Sequence, residues 1–127
     1  MDTRKLIYNR IAELVLAEHP DCYVTQVRSL TNRHIPCCFI TQISKARVRR
    51  YATLANTDEQ ARLGFEVEVY AKDMTTAYAI TETVEDGFKG IGFLETMCEP
   101  LESGDPSIYR IVTRFSGVTG KEIGETS

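Results

Sequence analysis

The sequence predicts an α+β domain, with a mixed, mostly antiparallel sheet of about five strands and two helices packed against it. Apolar residues recur at spacings of three and four in two stretches, which is the helical period. Elsewhere they alternate with polar ones, which is the period of a half-buried strand. The resulting order is helix, strand, strand, long loop, strand, helix, strand, strand, and it suits helices laid on an antiparallel-rich sheet. At 127 residues the chain fits one domain, spanning 1–127, with a single two-layer core.

The first helix is capped by Asp2 or Thr3 and carries Leu6, Ile7, Ile11, Leu14 and Val15 on one face. Arg4, Lys5, Arg10 and Glu13 take the other. The pattern stops at His19-Pro20-Asp21, because proline lacks an amide hydrogen and pushes the residue before it out of helical geometry. A strand follows at about Cys22 to Arg28, rich in β-branched and aromatic residues, and after a loop the run Cys37 to Ile43 reads as a second strand beside it. Ser44 to Arg62 then loses periodicity, which predicts a long polar loop.

Alternation returns at Leu63, with Leu63, Phe65, Val67 and Val69 set against Glu66, Glu68 and Tyr70, so this strand has one buried and one wet face. Asp73 caps the second helix, whose Ala77, Ile80, Val84 and Phe88 form the stripe that packs on the sheet, and Gly87 and Gly90 end it. A shorter strand from Phe93 to Glu99 is ended by Pro100 and a turn-rich segment. It makes a hairpin with a last strand from about Ile108 to Val118, in which Tyr109, Ile111, Thr113 and Phe115 share a face. About 119–127 reads as a loose tail.

Composition excludes several classes. With 43% hydrophobic and 26% charged residues the chain is not intrinsically disordered. Its apolar runs fall far short of the ~20 residues of a membrane helix, so no membrane partner is expected. The charged N-terminal pattern does not read as a signal peptide, which implies a cytoplasmic product. Four cysteines, Cys22, Cys37, Cys38 and Cys98, contain no CxxC and read as buried reduced thiols.

Candidate chemistry is weak. His19-x-x-Cys22 and His34-x-x-Cys37-Cys38 supply residue types that zinc uses, but adjacent strand cysteines point to opposite faces, so no metal site is expected. Glu66 and Glu68 lie two apart on one strand face, the spacing of paired carboxylates, yet such positions more often hold solvated charges or meet bases across a strand or interface. Gly87-Phe88-Lys89-Gly90-Ile91-Gly92 follows a helix instead of preceding one, so it is a helix stop and not a phosphate cradle. Neither catalytic residues nor a cofactor are expected.

Charge is distributed unevenly beneath a net of −3. Residues 28 to 50 carry Arg28, Arg33, Lys45, Arg47, Arg49 and Arg50 and no acid, whereas Lys72 to Ser127 carries ten acids against five bases. Opposite poles favour contacts between different patches of successive copies. Lys45, Arg47, Arg49 and Arg50, with Glu66 and Glu68, are therefore assigned to a subunit or partner interface. The basic cluster has a nucleic-acid flavour but lacks aromatic platforms beyond Tyr51, which favours a solvated loop or protein contact.

The run Leu63-Gly64-Phe65-Glu66-Val67-Glu68-Val69-Tyr70-Ala71-Lys72, the Asp-capped helix, the Gly-Phe step, Pro100, an acidic loop and Ile108 to Phe115 together resemble the tail terminator, or tail completion and head-tail joining, proteins of long-tailed bacteriophages. The similarity extends from Arg4 to Phe115 and is one of element order. It implies a virion protein, made in the host bacterial cytoplasm, that forms a sixfold ring on the finished tail tube, stops its polymerisation and meets the head connector. Its implied partners are further copies of itself, the tail tube protein and the head-completion protein, with genomic DNA passing through the lumen. Two alternatives are another neck component, such as a connector or stopper, and a small ligand-binding regulatory α+β domain.

Overall fold

Apolar side chains four residues apart need a common burial surface, and the first helix meets one. The computed structural model describes residues 3–26, 35–47 and 61–119. In α1 (Thr3–Glu18), Ile7, Ile11 and Val15 are buried in the core. Leu14, expected with them, is 41% exposed because it sits at the edge of the stripe. The helix ends before Pro20 as the sequence predicts, with the His19 amide donating to the Val15 carbonyl at 2.7 Å. Asp2, the alternative cap, lies outside the described residues.

Strand β1 (Tyr23–Thr25) is shorter than the Cys22 to Arg28 expected, with a bend already at Gln26, and Val27 and Arg28 lie outside the described residues. It pairs in parallel with β2 (Cys37–Arg47), Tyr23 opposite Cys37, so the two are neighbours as expected. β2 continues past Ile43 to Arg47, and β3 (Ala61–Ala71) starts before Leu63. The expected loop from Ser44 to Arg62 is thus strand at both ends. Pairing of Lys45 with Leu63 and Arg47 with Ala61 satisfies the backbone there, a gain that side-chain periodicity does not display. Residues 48–60 of that loop, and 120–127 of the expected tail, lie outside the described residues.

Helix α2 (Met74–Gly90) opens on the Asp73 cap, whose carboxylate accepts the Thr76 amide at 2.9 Å. Its stripe of Ala77, Ile80, Val84 and Phe88 is buried as expected. Gly87, expected to help end the helix, instead lies within it. A Cβ there would stand 2.8 Å from Ile11 Cδ1 and 3.0 Å from Leu14 Cδ1, so this glycine lets the two helices approach. The helix does end at Gly90, as expected, and the chain turns away at Gly92, with φ of +87°: its amide donates to the Lys89 carbonyl and that of Phe93 to the Phe88 carbonyl. Packing of the Phe93 ring on that of Phe88, 5.5 Å between centroids, locks the turn.

Strands β4 (Leu94–Leu101) and β5 (Tyr109–Thr119) form the expected hairpin, and the sheet order is β1-β2-β3-β5-β4. All pairs except β1–β2 are antiparallel. Pro100, expected to end the strand, lies inside it opposite Ile111. An edge strand tolerates proline because one side of its backbone needs no partner. Both helices pack on one sheet face, where Cys38, Ile40, Leu63, Phe65, Val67, Val69, Ile111 and Phe115 meet them. Phe88 stacks on Phe115 at 4.3 Å, and Phe65 and Phe93 complete an aromatic centre. Burying each such ring contributes about 2 to 3 kcal/mol.

Candidate functional site

Strand alternation places every second residue on the face that the helices leave uncovered, and here that face is built as crossed pairs. Glu66 lies opposite Arg114 and Glu68 opposite Val112, next to Arg110, in the β3–β5 ladder. Arg114 Nε donates to Glu66 Oε2 at 2.9 Å, and Arg110 Nε donates to Glu68 Oε2 at 2.9 Å, with its Nη2 at 2.8 Å. Tyr70 donates its hydroxyl to the same Glu68 oxygen at 3.0 Å. The ring of Phe39 meets that of Tyr70 edge-on at 5.8 Å, and the Arg110 guanidinium stands 6.0 Å from the Tyr70 ring centre.

This face is drier than the alternation implies. Glu68 is only 6% exposed, and Phe39, Cys37 and Val112 beside it are buried. Desolvation pulls the Arg110 pKa down, but bonding to Glu68 and the nearby Tyr70 oxygen outweigh it and leave it raised. Glu66 and Glu68 therefore accept from arginines on the next strand, so these carboxylates meet bases across a strand. Of the basic residues assigned with them, Lys45 and Arg47 end β2, at its pairing with the start of β3. Arg49 and Arg50 lie outside the described residues.

Three of the thiols match the expectation of burial. Cys22 is pushed up to about 12 by burial and then by Cys37, and Cys37 up to about 11 by burial and then by Glu68. Cys38, fully enclosed, is also raised well above its ordinary value, first by burial and then by Cys22 and Cys37. Such thiols stay protonated and are poor ligands and nucleophiles. His19 turns its Nε2 to the Thr83 hydroxyl at 3.0 Å, tying α1 to α2, and the His19 and Cys22 pair forms no cluster with a third donor among the described residues. His34 lies outside them.

Cys98 contradicts the expectation: it is exposed, and it belongs to a group that the sequence reading missed. Donor atoms of Glu85, Glu95 and Cys98 all lie within 4.8 Å of one another. Glu85 projects from α2. Glu95 and Cys98, three apart on β4, would face opposite ways in a regular strand. A bulge between Glu95 and Met97 changes the phase, so that Glu95 pairs with Phe115 and Cys98 with Thr113, both on the helix side. Sharing of a proton with Glu95, then burial, raises the Glu85 pKa to about 7, against a smaller lowering by Lys89. Beneath them the Thr113 hydroxyl is fully buried and has no hydrogen-bond partner among the described residues. Burial raises the Cys98 thiol and contact with Thr113 opposes this, although that contact falls short of hydrogen-bond geometry.

Among the described residues, clefts also open on the surface. One of about 420 Å³ lies between the end of α1 and the start of α2 and includes His19, Pro36, Lys72 and Thr76. Another, about 360 Å³, is at the β4–β5 turn, where Met74, Leu101 and Tyr109 are partly exposed. Among the described residues no helix is long and apolar enough to cross a membrane. No protein-family model matches the chain, and no curated protein matches it.

Proposed function

We propose that this chain is a structural assembly protein: a tail terminator that closes as a ring on the end of a phage tail tube, stops its growth and forms the joint to the head connector. The observation that supports this best is the β4 edge. Seven of its eight residues are exposed, and Leu94 is 73% exposed. Leu94, Glu99 and Leu101 lie on the sheet side away from the helices, opposite Ser116, Val112 and Arg110. With Glu102 and Asp105 at the adjoining turn, this makes an apolar rim bounded by acids and without a lysine or arginine of its own strand.

A ring needs one patch to meet a different patch on the next copy. The acidic β4 rim and the basic stretch Lys45, Arg47, Arg49 and Arg50 are such a complementary pair. Because Glu66 and Glu68 are held by Arg114 and Arg110, the acid side of that contact falls to Glu99, Glu102 and Asp105. Lys45, Arg47, Arg49 and Arg50 are assigned, on their charge alone, to contact with the neighbouring copy, the tail tube or the DNA in the lumen.

Native mass across a wide concentration range, with electron micrographs of the same samples and of tail tubes mixed with the protein, tests the proposal. Rings of six, or capped tubes, are the expected result, and Leu94→Lys with Glu99→Lys abolishes them. A tight dimer carrying a small molecule in the 420 Å³ cleft sinks this reading in favour of a ligand-binding regulatory domain. Rings that bind the head connector but leave tubes uncapped indicate a different neck component, such as a stopper.

A further inference from the structure

We infer that Glu85, Glu95 and Cys98 form a binding site for a divalent cation of the zinc class, seated between α2 and β4 above the Thr113 hydroxyl. Their three donor atoms lie within 4.8 Å of one another and come from two rigid elements, a helix and a strand. A tetrahedral zinc with oxygen ligands at about 2.1 Å and sulfur at about 2.3 Å separates its ligands by roughly 3.5 Å. Glu95 and Cys98 are exposed, so their side chains have room to turn toward that spacing.

Two further observations point to an occupant. Thr113 is 0% exposed, its hydroxyl lacks a hydrogen-bond partner among the described residues, and it stands opposite Cys98 in the β4–β5 ladder. Burying a hydroxyl unpaired costs about 1 to 3 kcal/mol. A cation-bound water, or the cation itself, lying over this oxygen gives it a partner. The β4 bulge is the second: it is the irregularity that brings Glu95 and Cys98 onto one side of the strand. The register of residues 97–101 holds Cys98 over Thr113, and the extra residue, Thr96, is tied by its hydroxyl to the Arg114 carbonyl at 3.3 Å.

The donor set selects the ion. Magnesium and calcium take six or more oxygens, whereas a thiolate with two carboxylates suits zinc or cobalt(II). Three anionic donors around a dication leave a net charge of −1, which the nearby Lys89 offsets and Glu82 on the preceding turn opposes. Exposure of Glu95 and Cys98 leaves the outer position to water. The site needs only one copy of the chain, so it does not depend on the ring reading.

Zinc is titrated calorimetrically into the full chain after chelation, and cobalt(II) is used as a probe whose thiolate charge-transfer absorption reports a cobalt–sulfur bond. One equivalent with that absorption is expected. Glu95→Gln weakens binding at least about 10-fold, and Cys98→Ser at least about 100-fold with loss of the band. Glu13→Gln, on the exposed face of α1, binds as the parent does. Unchanged melting temperatures without metal show that these surface variants fold. No binding, binding without the thiolate band, or a band that survives Cys98→Ser overturns the proposal, the last by moving the metal to the other cysteines.

Discussion

Gly117→Ala is the sharpest test of how the aromatic centre is packed. In most strands this change adds about 0.5 to 1 kcal/mol, since glycine loses more backbone freedom on folding. At Gly117 the added Cβ would lie 2.6, 2.7 and 2.9 Å from three atoms of the Phe93 ring. Carbon atoms pack best at about 3.5 to 4.0 Å, so the overlap approaches 1 Å at three points. The ring has nowhere to go: Phe93 is 1% exposed, with its centroid 5.5 Å from that of Phe88 and 6.0 Å from that of Phe65. Overpacking of this kind costs about 1 to 3 kcal/mol, and the rigid surroundings set it near the upper end. The net loss is about 2 kcal/mol, or roughly 8 °C in Tm for a chain of this size. Thermal and urea unfolding measure it, with an unchanged urea slope showing that the denatured state is unaltered. In a Phe93→Leu background the penalty should shrink by more than half, because the clashing ring is gone. A higher Tm for Gly117→Ala, or the same loss in both backgrounds, would refute the account.

The other predictions turn on the same comparison of local terms. Gly87→Ala should change stability by less than about 1 kcal/mol in either direction, because the helical gain is similar to the cost of displacing the two flexible methyl ends; a urea midpoint shift worth over 2 kcal/mol would contradict this. Arg110→Met should cost about 2 kcal/mol, since Glu68, with a side chain only 8% exposed, loses its arginine partner, whereas Arg114→Ala should cost under about 0.5 kcal/mol at the more open Glu66 pair. Equal losses in urea titrations of the two variants would show that burial does not separate these pairs. For Glu85 the folded pKa of about 7 lies above the ordinary 4.5, so its contribution is fully present below pH 4.5 and is lost as pH rises through 7. After solvent screening this amounts to about 1 kcal/mol. In metal-free buffer Glu85→Gln should flatten Tm against pH across that window, and an unchanged slope would show that the carboxyls do not share a proton.

Much of the fold was legible because it rests on periods. The stripe Ala77, Ile80, Val84 and Phe88 and the alternation from Leu63 to Val69 announce their elements, and the structure buries all of these residues. What periodicity could not show is backbone pairing: the polar ends of β2 and β3 read as loop, yet they hydrogen-bond to each other. Gly87 and Pro100 misled for a related reason. One residue type has two uses, and only the position of the neighbouring helix or the open strand edge selects between them. Glu66 and Glu68 were legible as a pair, but their arginines are more than forty residues away in sequence. The Glu85, Glu95 and Cys98 group was least legible, since the bulge makes a spacing of three act like a spacing of two. Glu95-Thr96-Met97-Cys98 carries no turn residue to signal it.

The placement of β5 between β3 and β4 also orders events during synthesis. The strand that joins the two halves of the sheet is made after both of them, so a nascent chain that has reached Ser107 holds β3 with a bare edge and β4 with no neighbour at all. Until Tyr109 to Thr119 is available, Phe65 and Phe88 lack the Phe115 ring that completes their cluster. Non-local pairing of this kind folds slowly and exposes adhesive edges meanwhile. Early stop codons before Thr119 should therefore yield insoluble chains in expression, whereas loss of the three-residue β1, at the opposite rim, removes only a peripheral parallel pair.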